Sequence, residues 1–179
     1  MDFNELVKNR RSIKKFEEDY KVDDAVIQEA IELAAYTPNH GMREPWRVIW
    51  VKKERLADYG RLFAEVNFKN DVIKMQNYIE MVQRLGGILI IAGPVDRRQK
   101  QRFEDVLAVG GYMQTLSLAL FSSGVGSCIK TPATIFEPAF NDGLNIHAGE
   151  MVYGMVYLTA LPAETEVKVR QNTDLISEF

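Results

Sequence analysis

Apolar residues recur at helical spacing in the first forty residues of the chain, and this pattern predicts two helices. We expect the first to begin after Asp2, whose carboxylate can cap it, and to end near Asn9. The second begins after Asp23 and stops before Pro38. The residues expected on their apolar faces are Phe3, Leu6 and Val7 in the first helix, and Val26, Ile27, Ala30, Ile31, Leu33 and Ala34 in the second.

The middle of the chain alternates strand and helix patterns. Residues 46–51 are β-rich and mostly apolar, which predicts a strand. Residues 53–83 have the helical pattern, with a break near residues 67–71 that predicts two helices. Residues 86–92 form a continuous apolar run, which is typical of a strand buried on both faces.

Residues 104–123 form the most apolar helix candidate. Because this helix is apolar on every side, it must be buried, either at the centre of the domain or under a partner subunit. The uncharged stretch 106–129 is long enough to span a membrane, but its many glycines and serines favour a buried helix and a turn, so we expect no membrane span. The apolar residues expected on one side of the helix are Val106, Val109, Met113, Leu116 and Leu120.

The last third of the chain predicts two strands and a short helix. Gly124 and Gly126 should end the long helix and lead into a short strand at 127–129, followed by a helix at 134–140 and a strand at 151–159. A sheet flanked by helices follows, of the α+β class or a three-layer α/β sandwich. No repeat or boundary divides residues 1–179, which predicts a single domain.

Composition narrows the classes of function. The 179 residues carry a net charge of −3, which argues against a general nucleic-acid binder. The only cysteine is Cys128, so no disulfide can form within the chain, and the first residues lack a secretory signal. A cytoplasmic location is therefore expected.

A basic run follows the first helix: Arg10-Arg11-Ser12-Ile13-Lys14-Lys15-Phe16. Arginine offers a planar fork of donors, lysine a compact charge and serine a short hydrogen bond, and together they suit a phosphate. The alternative is a solvated basic surface. The loop at 37–46 is a second ligand candidate, because two prolines restrict it and Gly41 permits a tight bend, although it could be a plain connector.

The sequence lacks the motifs by which a protein's own side chains carry out a reaction without a cofactor. There is no dinucleotide-binding or phosphate-loop glycine motif, no hydrolase elbow and no cluster with metal-ligand spacing. The two histidines, His40 and His147, are far apart, and Cys128 is either a nucleophile with an unknown partner or a small core residue. This profile is expected where a cofactor carries the reaction.

Four segments, taken in order, resemble the nitroreductase family of FMN-dependent oxidoreductases. The first is the basic run, and the second runs from Ala34-Ala35-Tyr36-Thr37-Pro38 to Glu44-Pro45-Trp46. The third is the helix that opens with Glu104-Asp105 and continues through Gln114, and the fourth is Gly124-Val125-Gly126 leading to Cys128-Ile129-Lys130-Thr131. Together they span almost the whole chain, whose length is similar to that of the short, single-domain members.

The resemblance implies a specific architecture and reaction. The fold would be a three-layer α/β/α structure with a mostly antiparallel central sheet and a buried central helix. Two chains would form a domain-exchanged homodimer with FMN at the interface, and the tail from about residue 163 would pack on the partner. NAD(P)H would reduce the flavin, and a nitroaromatic, quinone or related small acceptor would then enter the same site in a ping-pong cycle.

The resemblance also assigns residues. Arg10, Arg11 and Ser12 match the start of the FMN site, with a guanidinium on the phosphate or near the pyrimidine edge, and Lys14 is a further candidate. The remaining matches are Tyr36 and His40, which would reach the flavin across the interface, and Ile129, Lys130 and Thr131, which would pass the ring and the phosphate chain.

The chain departs from the family pattern at two places. Short relatives often carry an aromatic residue where Ile129 lies and a basic residue where Tyr36 lies. Many members also place a basic pair near the C-terminus on the phosphate, for which Lys168 and Arg170 are available here. Alternative functions are a flavin-binding sensor or carrier without turnover, a flavin reductase or dehalogenase on the same scaffold, and an interaction module whose basic run is only surface.

Overall fold

The computed structural model describes residues 2–16, 19–163, 170 and 175–178. Lys168 lies outside the described residues. Three short 3₁₀ turns, at His40–Met42, Lys53–Arg55 and Ala133–Phe136, accompany the main elements. The helices are α1 (Phe3–Asn9), α2 (Asp24–Ala34), α3 (Leu56–Phe68), α4 (Val72–Gln83), α5 (Gln99–Ser122) and α6 (Pro138–Gly143). The strands are β1 (Arg47–Lys52), β2 (Gly87–Pro94), β3 (Val125–Lys130) and β4 (Glu150–Ala160).

Capping carboxylates begin the first two helices, as the sequence predicts. The Asp2 carboxylate accepts from the Glu5 amide at 2.8 Å, and the Glu5 carboxylate accepts from the Asp2 amide at 3.2 Å, which completes a capping box. The Asp23 carboxylate accepts from the Ala25 amide at the start of α2. These caps satisfy amides that have no partner inside the helix, and they fix where each helix begins.

The four strands form one antiparallel sheet in the order β1-β2-β4-β3. β2 lies inside the sheet, where Ile90 pairs with Ile49 on one side and with Met155 on the other. Every residue of β2 before Pro94 is buried, which confirms the prediction of a strand covered on both faces. Among the described strands, β1 pairs only with β2 and so forms one edge of the sheet.

Helices cover both faces of the sheet, so the fold is the expected three-layer α+β arrangement. Successive residues of β2 alternate between the two covers. On one face α2 and α5 pack on Leu89, Ile91, Val156 and Leu158. On the other face α3, α4 and α6 pack on Ile88, Ile90, Met155 and Tyr157.

Three predicted boundaries are wrong, each for a local reason. Helix α5 begins at Gln99 rather than at residue 104, because its first turn is charged and mostly exposed and gives no apolar signal. Gly126 does not precede β3 but lies inside it, where an added Cβ would come within 2.6 Å of the Ala160 carbonyl. The predicted helix at 134–140 is a 3₁₀ turn and α6, separated at Glu137, whose backbone is extended.

Within a single chain α5 is buried on one side only, so the alternative of full burial at the centre of the domain is wrong, and burial under a partner subunit stays a prediction. Val109, Met113, Leu116 and Leu120 are buried, as expected. Val106, which was predicted to lie with them, is exposed, and so are Phe103 and Leu107 at 63% and 59% of their surface. No helix in the described part of the chain is both long and apolar enough to cross a membrane.

Candidate functional site

The basic run lies beside β3, at the edge of the sheet opposite β1. The Ile13 amide donates to the Ser127 carbonyl at 2.9 Å, and Ser12 forms a parallel bridge with Ser127. The buried Ile13 side chain anchors this contact. Because Ser127 lies in the middle of β3, the run is fixed against the strand that carries Ile129 and Lys130 at its end.

Arg10 is the clearest sign of an anion site. Its Nε is buried and has no hydrogen-bond partner among the described residues. Burial lowers the pKa of Arg10, and the charges of Arg11 and Arg170 lower it further. A half-buried guanidinium next to two like charges is electrostatically unfavourable without an anion, so these arginines fit a phosphate group.

The other residues of the run differ in their surroundings. Arg11 donates from Nη1 to the Arg10 backbone carbonyl at 2.8 Å, a contact that positions the Arg11 side chain near the end of α1. Ser12 and Lys14 are exposed. Arg170, the second residue of the possible C-terminal basic pair, is exposed. It lies close enough to Arg10 for its charge to lower the pKa of Arg10.

A cavity of about 330 Å³ opens at the end of β3. It joins Phe16, the last residue of the basic run, to Lys130 and Thr131. An apolar pocket with few polar groups is the usual form of a small-molecule site. The other residues that line it are Phe63, Tyr78, Met81, Pro132 and Tyr157.

Lys130 and Ile129 point to opposite faces of the sheet, since side chains alternate along a strand. Lys130 is half-buried and lines the cavity on the α3–α4 side. Ile129 is exposed on the α5 side. The three predicted residues at this strand end are therefore divided, with Lys130 and Thr131 at the cavity and Ile129 on the other surface.

Two tyrosines of this wall, Tyr78 and Tyr157, form a hydroxyl cluster with Tyr59, which does not line the cavity itself. The Tyr78 and Tyr157 oxygens are 2.6 Å apart, and each lies 3.5 Å from the Tyr59 oxygen. Tyr59 also donates to the Met155 sulfur at 3.0 Å. Burial raises the pKa of all three tyrosines, so their hydroxyls stay protonated at neutral pH and remain hydrogen-bond donors.

Sequence reasoning missed most of the cavity wall. Tyr78 and Tyr157 of this wall lie on α4 and β4, their neighbour Tyr59 lies on α3, and nothing local in the sequence links the three. Phe16 is a wall residue that the sequence did signal, because it ends the basic run. In the structure its ring centroid lies 6.0 Å from that of Tyr157. The sequence therefore predicted the charged residues of the site but not most of the aromatic ones.

The loop between α2 and β1 has an unusual backbone. Gly41 has a φ of 64°, which glycine adopts freely, but Met42 and Glu44 have φ values of 51° and 46°. Non-glycine residues in this left-handed region cost roughly 1–2 kcal/mol each. The Asn39 side chain opposes this strain by accepting from the Glu44 amide at 2.9 Å and donating to the Thr37 carbonyl at 3.2 Å.

An ion pair ties the same loop to α5. Arg43 donates from Nε and Nη2 to the two carboxylate oxygens of Asp105, both at 3.0 Å. The Asp105 side chain is only 2% exposed, and Gln101 also donates to it at 3.2 Å. Hydrogen bonding to Asp105 raises the pKa of Arg43. A two-pronged bond to a buried carboxylate fixes both the position and the orientation of the guanidinium.

Tyr36 and His40 are both exposed, at the C-terminal end of α2 and in this loop. Tyr36 is 87% exposed, so it is not a core aromatic residue of its own chain. Neither side chain is among the described residues that line the cavity at the end of β3. Within one chain the predicted site therefore forms two separate parts, one at β3 and one on the loop.

Metal chemistry finds no support in the described ranges. Residues 2–16, 19–163, 170 and 175–178 contain no group of three or more histidine, cysteine or acidic side chains arranged to hold a metal ion. Cys128 is free and buried in β3, as expected of a small core residue.

Comparison with known proteins shows which family this chain belongs to. The sequence model of the Nitroreductase family matches residues 7–158, from the end of α1 to the end of the sheet. The chain belongs to the nitroreductase family. A Bacillus subtilis (strain 168) relative of this family, "Putative NAD(P)H nitroreductase YfhC", is 30% identical over 172 residues, which are 93% of this chain and 88% of the relative.

Solved structures agree on the nitroreductase fold. A nitroreductase-like family protein from Bacillus cereus superposes with a TM-score of 0.89 at 22% identity, covering 100% of this chain and 96% of the other. The FMN-dependent nitroreductase NfnB from Mycobacterium smegmatis, solved in complex with NADPH, gives a TM-score of 0.71 at 16% identity, covering 98% and 97%. At these identities the likeness supports the fold alone.

Proposed function

We propose that this member of the nitroreductase family is an FMN-dependent oxidoreductase that takes electrons from NAD(P)H. One observation carries the proposal for this chain: Arg10 has a buried, unpartnered Nε beside two further arginines, in a protein whose family binds a phosphorylated flavin. The FMN and NADPH named for the Mycobacterium smegmatis structure, and the NAD(P)H named for the Bacillus subtilis relative, support the same pair of ligands.

The residues at the two ends of this site suit different parts of FMN. Arg10, Arg11 and Ser12 would bind the phosphate, with Arg170 adding positive charge and Lys14 nearby in the run. Lys130 and Thr131 would lie along the ring and its chain at the cavity, and Ile129 would reach the flavin only from the opposite surface of the strand. Bound FMN would supply the two-electron chemistry, while a neighbouring cation would stabilise the negative charge that reduction creates.

A homodimer would complete the site. The loop residues Tyr36 and His40 lie outside the cavity of their own chain, which supports their reaching the flavin of a partner subunit. The exposed apolar face of α5 supports the same assembly, since a soluble chain seldom leaves such a surface uncovered. No described strand pairs with the outer edge of β1, so in a domain-exchanged dimer this edge would suit the partner's tail from about residue 163, most of which lies outside the described residues.

A small acceptor, such as a nitroaromatic compound or a quinone, would follow NAD(P)H into the same site in a ping-pong cycle. The shared site would need no dedicated proton-donating side chain. The buried, unpaired Cys128 fits a reducing cytoplasmic location.

The test is flavin retention in the purified protein, measured by visible absorption after FMN is added and the sample is desalted. We expect Arg10→Ala and Ser12→Ala to weaken FMN binding, for Arg10→Ala on the order of tenfold to a hundredfold, since a charged hydrogen bond is lost. Arg61→Ala is the matched control, because Arg61 is exposed on α3, and its one ion pair with a described residue is with its neighbour Asp58.

Each outcome has a separate meaning. Full flavin retention in Arg10→Ala would show that the basic run does not bind the FMN phosphate. A colourless wild-type protein in excess FMN would favour the interaction module. A protein that keeps its flavin but shows no bleaching by NADH or NADPH without oxygen would be a carrier or sensor rather than a reductase.

A further inference from the structure

The loop at residues 39–44 is held in a backbone conformation that its own sequence does not favour. Met42 and Glu44 both occupy the left-handed region, on either side of Arg43. Met42 is 77% exposed and therefore gains little from packing within its own chain. A strained segment persists only where surrounding contacts fix it, and such segments cluster where a ligand is positioned.

The contacts that fix this loop converge on Arg43. Its guanidinium binds both oxygens of the buried Asp105 carboxylate and approaches Asp96 at 3.5 Å. Asp96 is itself held by Arg98 at 2.8 Å, so the anchor consists of charged groups on α5 and on the turn before it. The loop is therefore tied to α5, whose exposed apolar face is the expected dimer contact.

We propose that Arg43 is a positioning residue that presets the loop through Asp105 and thereby sets the affinity for the electron acceptor. The ion pair would keep His40 and Met42 projecting from the subunit in one arrangement, ready to border the acceptor in the partner's site. This role rests on the proposed function, because an acceptor site exists only if the flavin does. Tyr36 and His40 would also border the flavin, but the phosphate contacts of the basic run would carry most of the FMN affinity, so releasing the loop should leave FMN bound.

A second arginine pair in the same region provides a control. Arg47 binds Glu150 with two hydrogen bonds, at 3.1 and 2.6 Å, and the two side chains are 35% and 17% exposed. This pair joins β1 to β4 only four residues beyond Arg43, yet it does not hold the strained loop. Glu150→Gln should therefore resemble Asp105→Asn in general destabilisation and differ from it in every property of the loop.

Asp105→Asn is the informative variant, because it removes the buried charge and leaves a cation that can turn toward solvent. Limited proteolysis with thermolysin tests the anchor without any activity. Cleavage between Gly41 and Met42 should become at least tenfold faster in Asp105→Asn, as the released loop populates conformations that a protease can bind. The Glu150→Gln variant should be cut there at the wild-type rate, and equal rates in all three proteins would overturn the anchor.

Steady-state kinetics with menadione as the acceptor tests the role. In Asp105→Asn we expect the KM for menadione to rise about tenfold, kcat to change by less than twofold, and flavin retention to stay at the wild-type level. Arg43→Lys, which keeps the charge but loses the two-pronged bond, should fall between Asp105→Asn and the wild type. A loss of kcat at unchanged KM would mean that the pair is only structural and would overturn the proposal.

Failure of the proposed function would look different. A wild-type protein without flavin or without turnover would refute the oxidoreductase and, with it, the acceptor role of the loop. Faster thermolysin cleavage in Asp105→Asn would still be expected in that case, since the anchor depends only on the ion pair and the strained backbone.

Discussion

Helix α5 has two apolar faces with opposite surroundings. Toward the sheet, Val109, Met113, Leu116 and Leu120 are fully or almost fully buried under α2 and against β2 and β4. On the opposite side, Phe103, Val106, Leu107 and Gly110 lie at helical spacing and are exposed. We call the first set the inner face and the second the outer face.

The difference separates two roles that composition alone cannot distinguish. The inner face stabilises the fold of one chain, since its side chains leave water when that chain folds. The outer face contributes nothing comparable until a second surface covers it. The Arg43–Asp105 pair lies in the N-terminal part of the same helix and ties the loop at residues 39–44 to it. The outer face and this loop would therefore meet the partner together.

The inner face offers the largest expected effect. Leu116→Ala removes three buried heavy atoms from a side chain that is fully buried, so the free energy of unfolding should fall by about 2–5 kcal/mol. Chemical denaturation at fixed protein concentration measures it. Ile73→Ala is the control, because Ile73 is 74% exposed on α4 and should change the value by less than about 0.5 kcal/mol. Similar losses of stability in both variants would contradict the claim that the inner face stabilises the fold of one chain.

The outer face should control assembly instead. Leu107→Glu places a charge where we expect a dimer contact, so the dissociation constant should rise at least about tenfold, and the part of the flavin site that the partner supplies should be lost with the dimer. Sedimentation velocity measures the shift. Ile73→Glu makes the same change on an exposed helix elsewhere and should leave the dimer intact. A wild-type protein that is monomeric at every concentration would contradict the role given to this face.

Sequence patterns predicted the parts of this molecule that depend on neighbours along the chain. The caps at Asp2 and Asp23, the buried run of β2 and the cluster of charges at Arg10 are all local signals. The family resemblance then supplied the order of the layers. What it could not supply is which side of α5 the chain covers by itself, since both sides are apolar.

The features that the sequence did not predict join residues distant along the chain. Arg43 and Asp105 are 62 positions apart, and Tyr78 and Tyr157 are 79 apart, so neither pair leaves a local pattern. The backbone strain at Met42 is hidden for the same reason, because long-range contacts impose it against the preference of the residue. Folding brings these groups together, and the candidate site is built largely from them.

Two adjacent glycines in α5 allow a finer test of the same comparison. Gly111 lies toward the packed side, where an added Cβ would come within 2.8 Å of Thr37 Cγ2. Thr37 is buried and its hydroxyl donates to Thr115 at 3.0 Å, so it cannot move away freely. In Gly111→Ala the clash should outweigh the gain in helix propensity, and the free energy of unfolding should fall by about 1 kcal/mol. An increase would show that Thr37 adjusts easily.

Gly110 provides the smallest and most discriminating change. Outside its own stretch of helix, an added Cβ there meets no atom of the described residues within 4 Å, so the alanine gains helix propensity without a clash. In the Leu107→Glu background, where we expect a monomer, Gly110→Ala should raise the free energy of unfolding by about 0.5–1 kcal/mol. A decrease there would contradict an open outer face.

The same substitution in the wild-type background reports how the partner approaches. Because Gly110 lies between Leu107 and Gln114 on the outer face, a partner that packs side chains over it would accept a methyl group, and the dissociation constant should stay within about threefold of the wild type. A much larger increase would mean that backbone from the partner lies against Gly110. The pair of measurements thus distinguishes a face that is only apolar from one that is shaped to a second chain.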